Sequence, residues 1–364
     1  MAKKQIARDL LYPTDKNILV RVVFLYVGQG SSAIVFIRDS DVYRVLVVDI
    51  NLGRKLGGID VPRLVTDLLK GEDLEAFVNT HPHDDHLCGT RELSDAVTIK
   101  AVWHSDHKPS KKYGSKHGEL TALIKKVTDA YGKDAQVIID GSKSSVTYGE
   151  AEYHFLAPAE HVTEDVNEED AEKRRARIHE QCGVIKFGKD KTWIMIVGDA
   201  DRCAFEKHIT KYHKDRLASF ALAASHHGSR TFFKENEEDD AYLDGLNAID
   251  PEYVVISAPT QDESPHGHPH DDALELYEGH VGEDNVLHTG EERYCYWFDI
   301  YSDGTHSGVQ TDDGKLAEEY GFQDDDGDDD DGSGGKGERA KASGPFVITN
   351  PREQTGDFTP KKYG

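Results

Sequence analysis

The chain has 364 residues, of which 43 are Lys or Arg and 68 are Asp or Glu, so its formal net charge is -25. This length suits one large domain or two modest ones, and either can bury a core. Nine acidic residues lie within 318–331, but the remainder of the chain is acidic as well. Proteins that follow a phosphate backbone normally carry a basic face, so the charge disfavours a long nucleic-acid substrate.

The cysteines and the apolar runs indicate the cellular compartment of the protein. The 4 cysteines form no C-x-x-C pair and no regular framework, which favours a reducing compartment. The most apolar N-terminal run, residues 18–27, contains Arg21, is too short to span a bilayer and lacks a signal-peptide pattern. We therefore expect a cytoplasmic protein without a membrane segment.

The first part of the chain predicts three strands and one helix, at residues 18–27, 32–37, 43–50 and 61–69. Gly28 and Gly30 separate the first two strands and mark a tight turn where the backbone approaches another segment. Asp60 is suited to cap the helix, and Pro62 lies in its first turn.

A histidine-rich loop follows a short apolar run at residues 76–78. It contains the pattern H-x-H-x-D-H, formed by His81, His83, Asp85 and His86. Imidazole and carboxylate suit zinc and its first-row neighbours, and the lack of a thiolate disfavours a closed structural zinc site. Four donors this close cannot all serve one ion with an open position, so the loop predicts two metal ions.

The rest of the body alternates strands with helices. Strands are predicted at 97–103, 136–139, 152–156, 183–187, 192–197, 220–224, 254–257 and 294–301, and helices at 119–131, 201–212 and 271–278. Residues 163–178 are highly charged, with acidic residues first and basic residues last. That order matches a helix dipole and predicts one solvated helix, with a lid over the substrate as the alternative.

Three further donors lie where a predicted strand meets a loop: His179, Asp199 and His227. Sheet-based enzymes place their chemistry at such positions. Each signal is weak alone, since a Gly-Asp pair after a strand is most often a turn. Their order after the histidine-rich loop is a stronger indication.

This order of motifs, over residues 18–301, resembles the metallo-β-lactamase superfamily of two-metal hydrolases. The resemblance implies an α/β fold with four layers, αββα, in which two β-sheets pack face to face between outer helices. It also implies that Asp199 bridges two divalent ions, one held by His81, His83 and His179 and the other by Asp85, His86 and His227.

A narrower likeness is to the branch that includes ComEC-type competence proteins and phosphorylcholine esterases. Residues 26–30, 225–229 and 267–270 are similar to that branch's motifs. Tyr26, Ser31 and Cys88 depart from them, but none of the three is an expected ligand. The channel of the ComEC-type proteins is absent, so only the hydrolase function is implied.

A hydroxide held between two metal ions predicts hydrolysis, and phosphodiester cleavage is the favoured reaction. Zinc is the preferred ion, with manganese or iron as alternatives; lactam, thioester or amide substrates are the rival classes. We count Asp85 among the catalytic residues with His226 and His268, which are candidates for binding a phosphate oxygen or protonating the leaving group. The alternative for both histidines is a supporting or surface role.

The acidic body favours a small phosphoester or nucleotide as the substrate. A nuclease acting on single-stranded nucleic acid is the alternative, if Lys108, Lys111, Lys112 and Lys116 form a basic groove. A non-catalytic, metal-bound scaffold is a third possibility.

The composition predicts three regions: a hydrolase domain at 17–312, a disordered acidic and Gly-rich linker at 313–345, and a peptide at 346–364. The last region regains aromatic and β-prone residues. It is a candidate linear motif that binds a protein partner or the chain's own body, and a functionless terminus is the alternative.

Overall fold

Two β-sheets pack face to face in the computed structural model, which describes residues 6–108 and 116–323. The strands of the described residues are β1 (Ile18–Phe24), β2 (Ala33–Asp39), β3 (Val42–Val48), β4 (Leu74–Asn79), β5 (Ile99–His104), β6 (Gln136–Ile138), β7 (Val146–Tyr148), β8 (Ala151–Ala157), β9 (Val184–Lys189), β10 (Thr192–Ile196), β11 (Ala221–Ala223), β12 (Tyr253–Ile256), β13 (Val286–His288), β14 (Tyr296–Tyr301) and β15 (Gln310–Thr311).

The first sheet has the order β15-β14-β1-β2-β3-β4-β5-β6, and the second has the order β13-β12-β11-β10-β9-β8-β7. In the first sheet, β3 to β6 are parallel. In the second, β10 to β13 are parallel. The carboxyl ends of parallel strands meet at one edge of each sheet, and the loops at such an edge are where ligands bind in α/β proteins.

Helices cover the outer face of each sheet. They are α1 (Ile6–Leu11), α2 (Val61–Leu69), α3 (Thr90–Ala96), α4 (His117–Tyr131), α5 (Glu160–Glu168), α6 (Ala171–Ala176), α7 (Arg202–Ala204), α8 (Thr210–His213), α9 (Asp244–Ile249), α10 (Asp271–Val281) and α11 (Lys315–Tyr320). A π-helical stretch, Phe205–Ile209, joins α7 to α8. As predicted, α2 begins after Asp60, whose side chain accepts a hydrogen bond from the backbone N–H of Arg63.

Side chains alternate across β1 and fill two layers of the core. Val20, Val22 and Phe24 face the layer between the sheets. Val23 packs instead in the layer that contains Leu64 of α2. This alternation follows the period of a strand, and it explains why β1 is buried along its whole length. The architecture is the predicted αββα sandwich.

The charged run at 163–178 does not form the single solvated helix that we predicted. The structure has α5 and α6 instead, separated by extended backbone at Glu169 and Asp170. The Asp170 side chain caps α6 by accepting hydrogen bonds from the backbone N–H groups of Glu172 and Lys173. Val162 and Val166 of α5 are buried. The burial of these two valines and the Asp170 cap together account for the break between α5 and α6.

The predicted boundary after Asp312 also needs correction. Helix α11 lies beyond it, and its Leu316 and Tyr320 are buried in the layer that contains α1 and α2. The backbone N–H of Asp60 donates to the carbonyl of Tyr320 at 2.8 Å. The folded body therefore extends at least to Gln323. The remaining linker and the 346–364 peptide lie outside the described residues. Within the described part of the chain, no helix is long and apolar enough to cross a membrane.

We predict that Leu316→Ala lowers the free energy of unfolding by about 2–5 kcal/mol, because it opens a cavity in the apolar cluster that α11 shares with α1 and α2. Urea denaturation followed by circular dichroism measures this. Glu318→Ala, at an exposed position on the same helix, is the control and should change stability by less than about 0.5 kcal/mol. Equal effects of the two substitutions would show that α11 does not contribute to the core.

Candidate metal centre

All seven residues that the sequence singled out as ligands lie at one edge of the sandwich. His81 and His83 follow β4, and Asp85 and His86 belong to the short 3-10 helix Asp84–His86. The remaining three are His179 in the turn before β9, Asp199 after β10 and His227 after β11.

The side chains form two groups of potential metal ligands. His81, His83, His179 and Asp199 make the first group, and Asp85, His86 and His227 make the second. Within each group, one ligand atom per residue lies within 4.8 Å of all the others. Three imidazoles with one carboxylate, and two imidazoles with one carboxylate, are donor sets that suit a first-row divalent ion.

Asp199 lies between the two groups. Its Oδ2 is 3.2 Å from Nε2 of His81 and 3.8 Å from Nε2 of His179. Its Oδ1 is 3.1 Å from Nε2 of His86 and 3.8 Å from Nε2 of His227. Each oxygen thus faces the imidazoles of a different group.

These polar atoms are buried without hydrogen-bond partners. Both Asp199 oxygens and the Nε2 atoms of His86, His179 and His227 belong to this set. Buried polar atoms without partners are costly and rare in folded proteins. Five of them around one point fit a site whose partners are cations.

One segment of the chain resembles a known protein family. The model of the metallo-β-lactamase superfamily matches residues 57–170, which include the histidine-rich loop. The match spans less than half of the chain, so it shows a likeness of this segment to that superfamily. No curated protein is significantly similar to it in sequence.

Two solved structures are similar to this chain at low sequence identity. YhfI from Bacillus subtilis, a metallo-β-lactamase fold protein, is 12% identical, and the alignment covers 74% of this chain and 95% of that one with a TM-score of 0.39. The metallo hydrolase Igni18 from Ignicoccus hospitalis is also 12% identical, with coverages of 74% and 94% and a TM-score of 0.42.

Asp49 orients part of the site, and sequence reasoning missed it. Its Oδ2 lies 2.8 Å from Nδ1 of His86 and accepts a hydrogen bond from the Thr80 hydroxyl at 2.6 Å. Its Oδ1 accepts hydrogen bonds from the Thr80 backbone N–H at 2.8 Å and from Asn79 at 3.0 Å. Asp49 therefore holds the imidazole so that Nε2 faces Asp199. Only its position at the end of β3 hinted at this role.

Left-handed backbone presents His226 and His227. Their φ angles are 49° and 58°, which is uncommon for residues other than glycine. Nδ1 of His227 donates to the carbonyl of Ser257 at 2.8 Å, so its Nε2 is left for the metal group. Gly228 follows, and a Cβ there would lie 2.7 Å from Cβ of Pro269. The loop that carries His227 therefore packs against the loop that carries His268, and only glycine fits at position 228.

The glycine turn before β2 packs against the histidine-rich loop. A Cβ on Gly30 would lie 2.5 Å from the carbonyl oxygen of Asp85, so a larger residue would displace the loop. The Ser31 backbone N–H donates to that same oxygen at 3.3 Å. The turn thus fixes the backbone that carries Asp85.

The two predicted catalytic histidines lie beside the metal groups. Nε2 of His226 is 3.6 Å from Oδ2 of Asp199. The ring of His268 is 5.2 Å from that of His226 and 6.2 Å from that of His227, and its Nδ1 is buried without a hydrogen-bond partner. Both imidazoles therefore border the two groups of potential ligands.

The charges of the site act strongly on one another. Burial disfavours ionisation of Asp199, but the imidazoles of His226, His86 and His81 hold its pKa well below the ordinary value. Burial and His86 lower the pKa of His81 to about 4. Burial together with His226 and His227 lowers the pKa of His268 to about 3. His81 and His268 are therefore neutral at pH 7, the form in which imidazole binds a metal or accepts a proton.

We predict that Asp49→Ala lowers the free energy of unfolding by about 1–3 kcal/mol, because buried donors of Asn79 and Thr80 lose their acceptor. Urea denaturation of chelator-treated protein measures this effect apart from any bound ion. Asp84→Ala, at an exposed position in the same site region, should have a much smaller effect. An Asp49 variant as stable as the wild type would contradict the orienting role.

Proposed function

We propose that the chain is a dinuclear metal-dependent hydrolase that cleaves small phosphodiesters. The observation that carries the proposal is the position of Asp199, whose two buried oxygens face separate groups of imidazoles. A carboxylate in this place suits a bridge between two cations, and two-metal sites are typical of phosphoryl hydrolysis.

The residues would hold the ions in two sets joined by Asp199. His81, His83 and His179 supply the first, and Asp85, His86 and His227 supply the second. The donor atoms are imidazole nitrogens and carboxylate oxygens, which favour zinc, with manganese or iron as alternatives. Two bound ions would supply a hydroxide near neutral pH and offset charge on the attacked phosphate.

The chain's own residues would handle the proton and the leaving group. His226 and His268 border the metal groups on one side, and both have lowered pKa values caused first by burial. A neutral imidazole donates one N–H hydrogen bond and accepts at its other nitrogen. We assign to these two side chains the binding of a phosphoryl oxygen and the relay of a proton, which the neutral imidazole first accepts from the attacking water and then gives to the departing oxygen.

Charge pairing near the site supports a small substrate over a nucleic acid. Arg177 has carboxylate oxygens of Asp165, Glu169 and Glu180 within 3.0 Å. Lys116 pairs with Glu119 at 3.3 Å. These cations are neutralised by neighbours, and the body is acidic, so they do not form the basic track that a phosphate backbone needs. Lys111 and Lys112 lie outside the described residues.

The likeness to the ComEC-type and phosphorylcholine esterase branch is part of the same proposal. The packing of Gly30 on the histidine-rich loop and of Gly228 on Pro269 involves the three motifs that resemble the ComEC-type and phosphorylcholine esterase branch, which supports kinship with it.

The cysteines, all described, form no disulfide bond. Free thiols favour a reducing compartment, so we propose a cytoplasmic location.

We predict that the purified protein binds two transition-metal ions per chain, as measured by plasma mass spectrometry after reconstitution with zinc or manganese. Asp85→Ala should lose one ion and abolish hydrolysis of bis(p-nitrophenyl) phosphate, because the second group keeps only two imidazoles. Asp84→Ala is the matched control and should keep both ions. A trace metal content in the reconstituted wild type would sink the two-metal proposal.

We also predict that His226→Ala and His268→Ala keep both ions but lower the rate of bis(p-nitrophenyl) phosphate hydrolysis, on the order of 10²–10⁴-fold if the side chain transfers the proton. His280→Ala, on α10 where His280 pairs with Asp250, is the control and should match the wild type. If His226→Ala instead lost an ion while His227→Ala kept both, the roles of these neighbours would be exchanged. A metal-loaded wild type that hydrolyses none of the phosphodiesters would favour the scaffold interpretation.

A further inference from the structure

A cavity of about 340 Å³ lies beside the loop that carries His81 and His83 of the first metal group. Pro82, which stands between His81 and His83, lines one wall. His104 and His107, at the end of β5 and just after it, line another, and His117 and Leu120 of α4 complete it. We call this space the side cavity. Its volume falls within the range of about 300–1,000 Å³ that is usual for small-molecule sites.

Helices α5 and α6 hold the loop that forms one wall of the side cavity. Asn167 of α5 donates to the carbonyl of Asp106 and accepts from the backbone N–H of Lys108, both at 2.9 Å. Nε of Arg174, in α6, donates to the carbonyl of Lys108 at 2.9 Å. The charged run that the sequence offered as a surface helix or a lid therefore clamps this loop, so the wall is preformed.

Two imidazoles of the side cavity have unused hydrogen-bonding capacity. Nδ1 of His107 pairs with Oε1 of Gln181 at 2.5 Å, which fixes the ring, and its Nε2 has no hydrogen-bond partner among the described residues. The ring nitrogens of His117 likewise have none within the part of the chain that the structure describes. His104 differs, because both of its nitrogens are engaged, by Gln136 and by the backbone N–H of Asp106.

The lining of the side cavity is close to neutral in charge. Burial lowers the pKa values of His104 and His117, and burial lowers that of His107 to about 4, so all three rings are uncharged at pH 7. Lys108 and Asp106 offset each other. The floor is apolar, with Leu120 and Ile124. Such a lining suits a flat, uncharged group with polar edges better than a second phosphate.

We propose that the side cavity binds the nucleoside part of a phosphodiester whose phosphate lies at the metal centre. This inference rests on the proposed function and adds the substrate class to it, namely nucleoside phosphodiesters. Pro82 lies between His81 and His83, so the side cavity borders the loop that carries two ligands of the first metal group, and the proposal places one molecule across both. His107 and His117 supply hydrogen bonds to the edge of the base, and Leu120 and Ile124 contact its face.

The experiment compares two substrates with the same leaving group. Thymidine 5′-(p-nitrophenyl) phosphate carries a nucleoside, and methyl p-nitrophenyl phosphate carries only a methyl group in its place. The measured quantity is the ratio of their kcat/KM values with the metal-loaded full chain. We expect a ratio on the order of 10 or more for the wild type, because the nucleoside adds contacts that the methyl group lacks.

Thr121→Trp is designed to occupy the side cavity, because Thr121 lines it from an exposed position on α4. It should lower the ratio on the order of tenfold. Lys125→Trp adds the same ring at an exposed position on the same helix outside the lining, and it should keep the wild-type ratio. His107→Ala should lower the ratio mainly through KM for the thymidine substrate. Thermal melts confirm that each variant is folded.

The outcomes separate the two proposals. If both substrates are cleaved with a ratio near one, or if Thr121→Trp and Lys125→Trp behave alike, the side cavity does not bind a nucleoside. If neither substrate is cleaved by the metal-loaded wild type, the phosphodiesterase function fails, and calorimetry with thymidine 5′-monophosphate then decides on the side cavity. Binding that Thr121→Trp abolishes supports the inference, whereas no binding to the wild type overturns it.

Discussion

A single buried carboxylate, that of Asp199, organises the functional edge of this protein. Burial alone would disfavour its charge, yet the surrounding imidazoles keep it ionised. Its oxygens lack hydrogen-bond donors, so the cost of burying them must be offset by charge nearby. The contacts beyond the candidate ligands serve this arrangement. Asp49 sets the plane of His86, Ser257 sets that of His227, and the Gly30 turn supports the backbone of Asp85.

The sandwich brings these groups together because each sheet contributes the carboxyl ends of its parallel strands to the same edge. Asp49 and His81 come from the first sheet, which is held in register by β3 and β4 through Val48 and Val78. Asp199 and His227 come from the second, where β10 and β11 pair through Met195 and Leu222. The apolar layer between the sheets therefore sets the distance between the two halves of the candidate site.

Sequence reasoning succeeded where the signal is local. The bounds of α2 follow from Asp60 and Pro62, which act within one helical turn, and the histidine-rich loop is contiguous. It failed where distant packing decides. The break between α5 and α6 depends on burial of Val162 and Val166, and α11 has only two buried side chains in an acidic run. The role of Asp49 depends on the pairing of β3 with β4, and the side cavity depends on loops that approach each other from separate parts of the chain.

The pairing of β1 with β14 has a consequence for folding. Ile18 lies opposite Tyr301, so one edge of the fully buried strand β1 pairs with a strand that comes almost at the end of the folded body. Contacts this far apart in sequence are slow to form, because a long loop must close before they stabilise the chain. During synthesis, an emerging chain therefore exposes an unpaired, apolar strand edge until residue 301 has left the ribosome. Such edges promote aggregation, so this protein should depend on chaperones more than a domain of the same size built from local contacts.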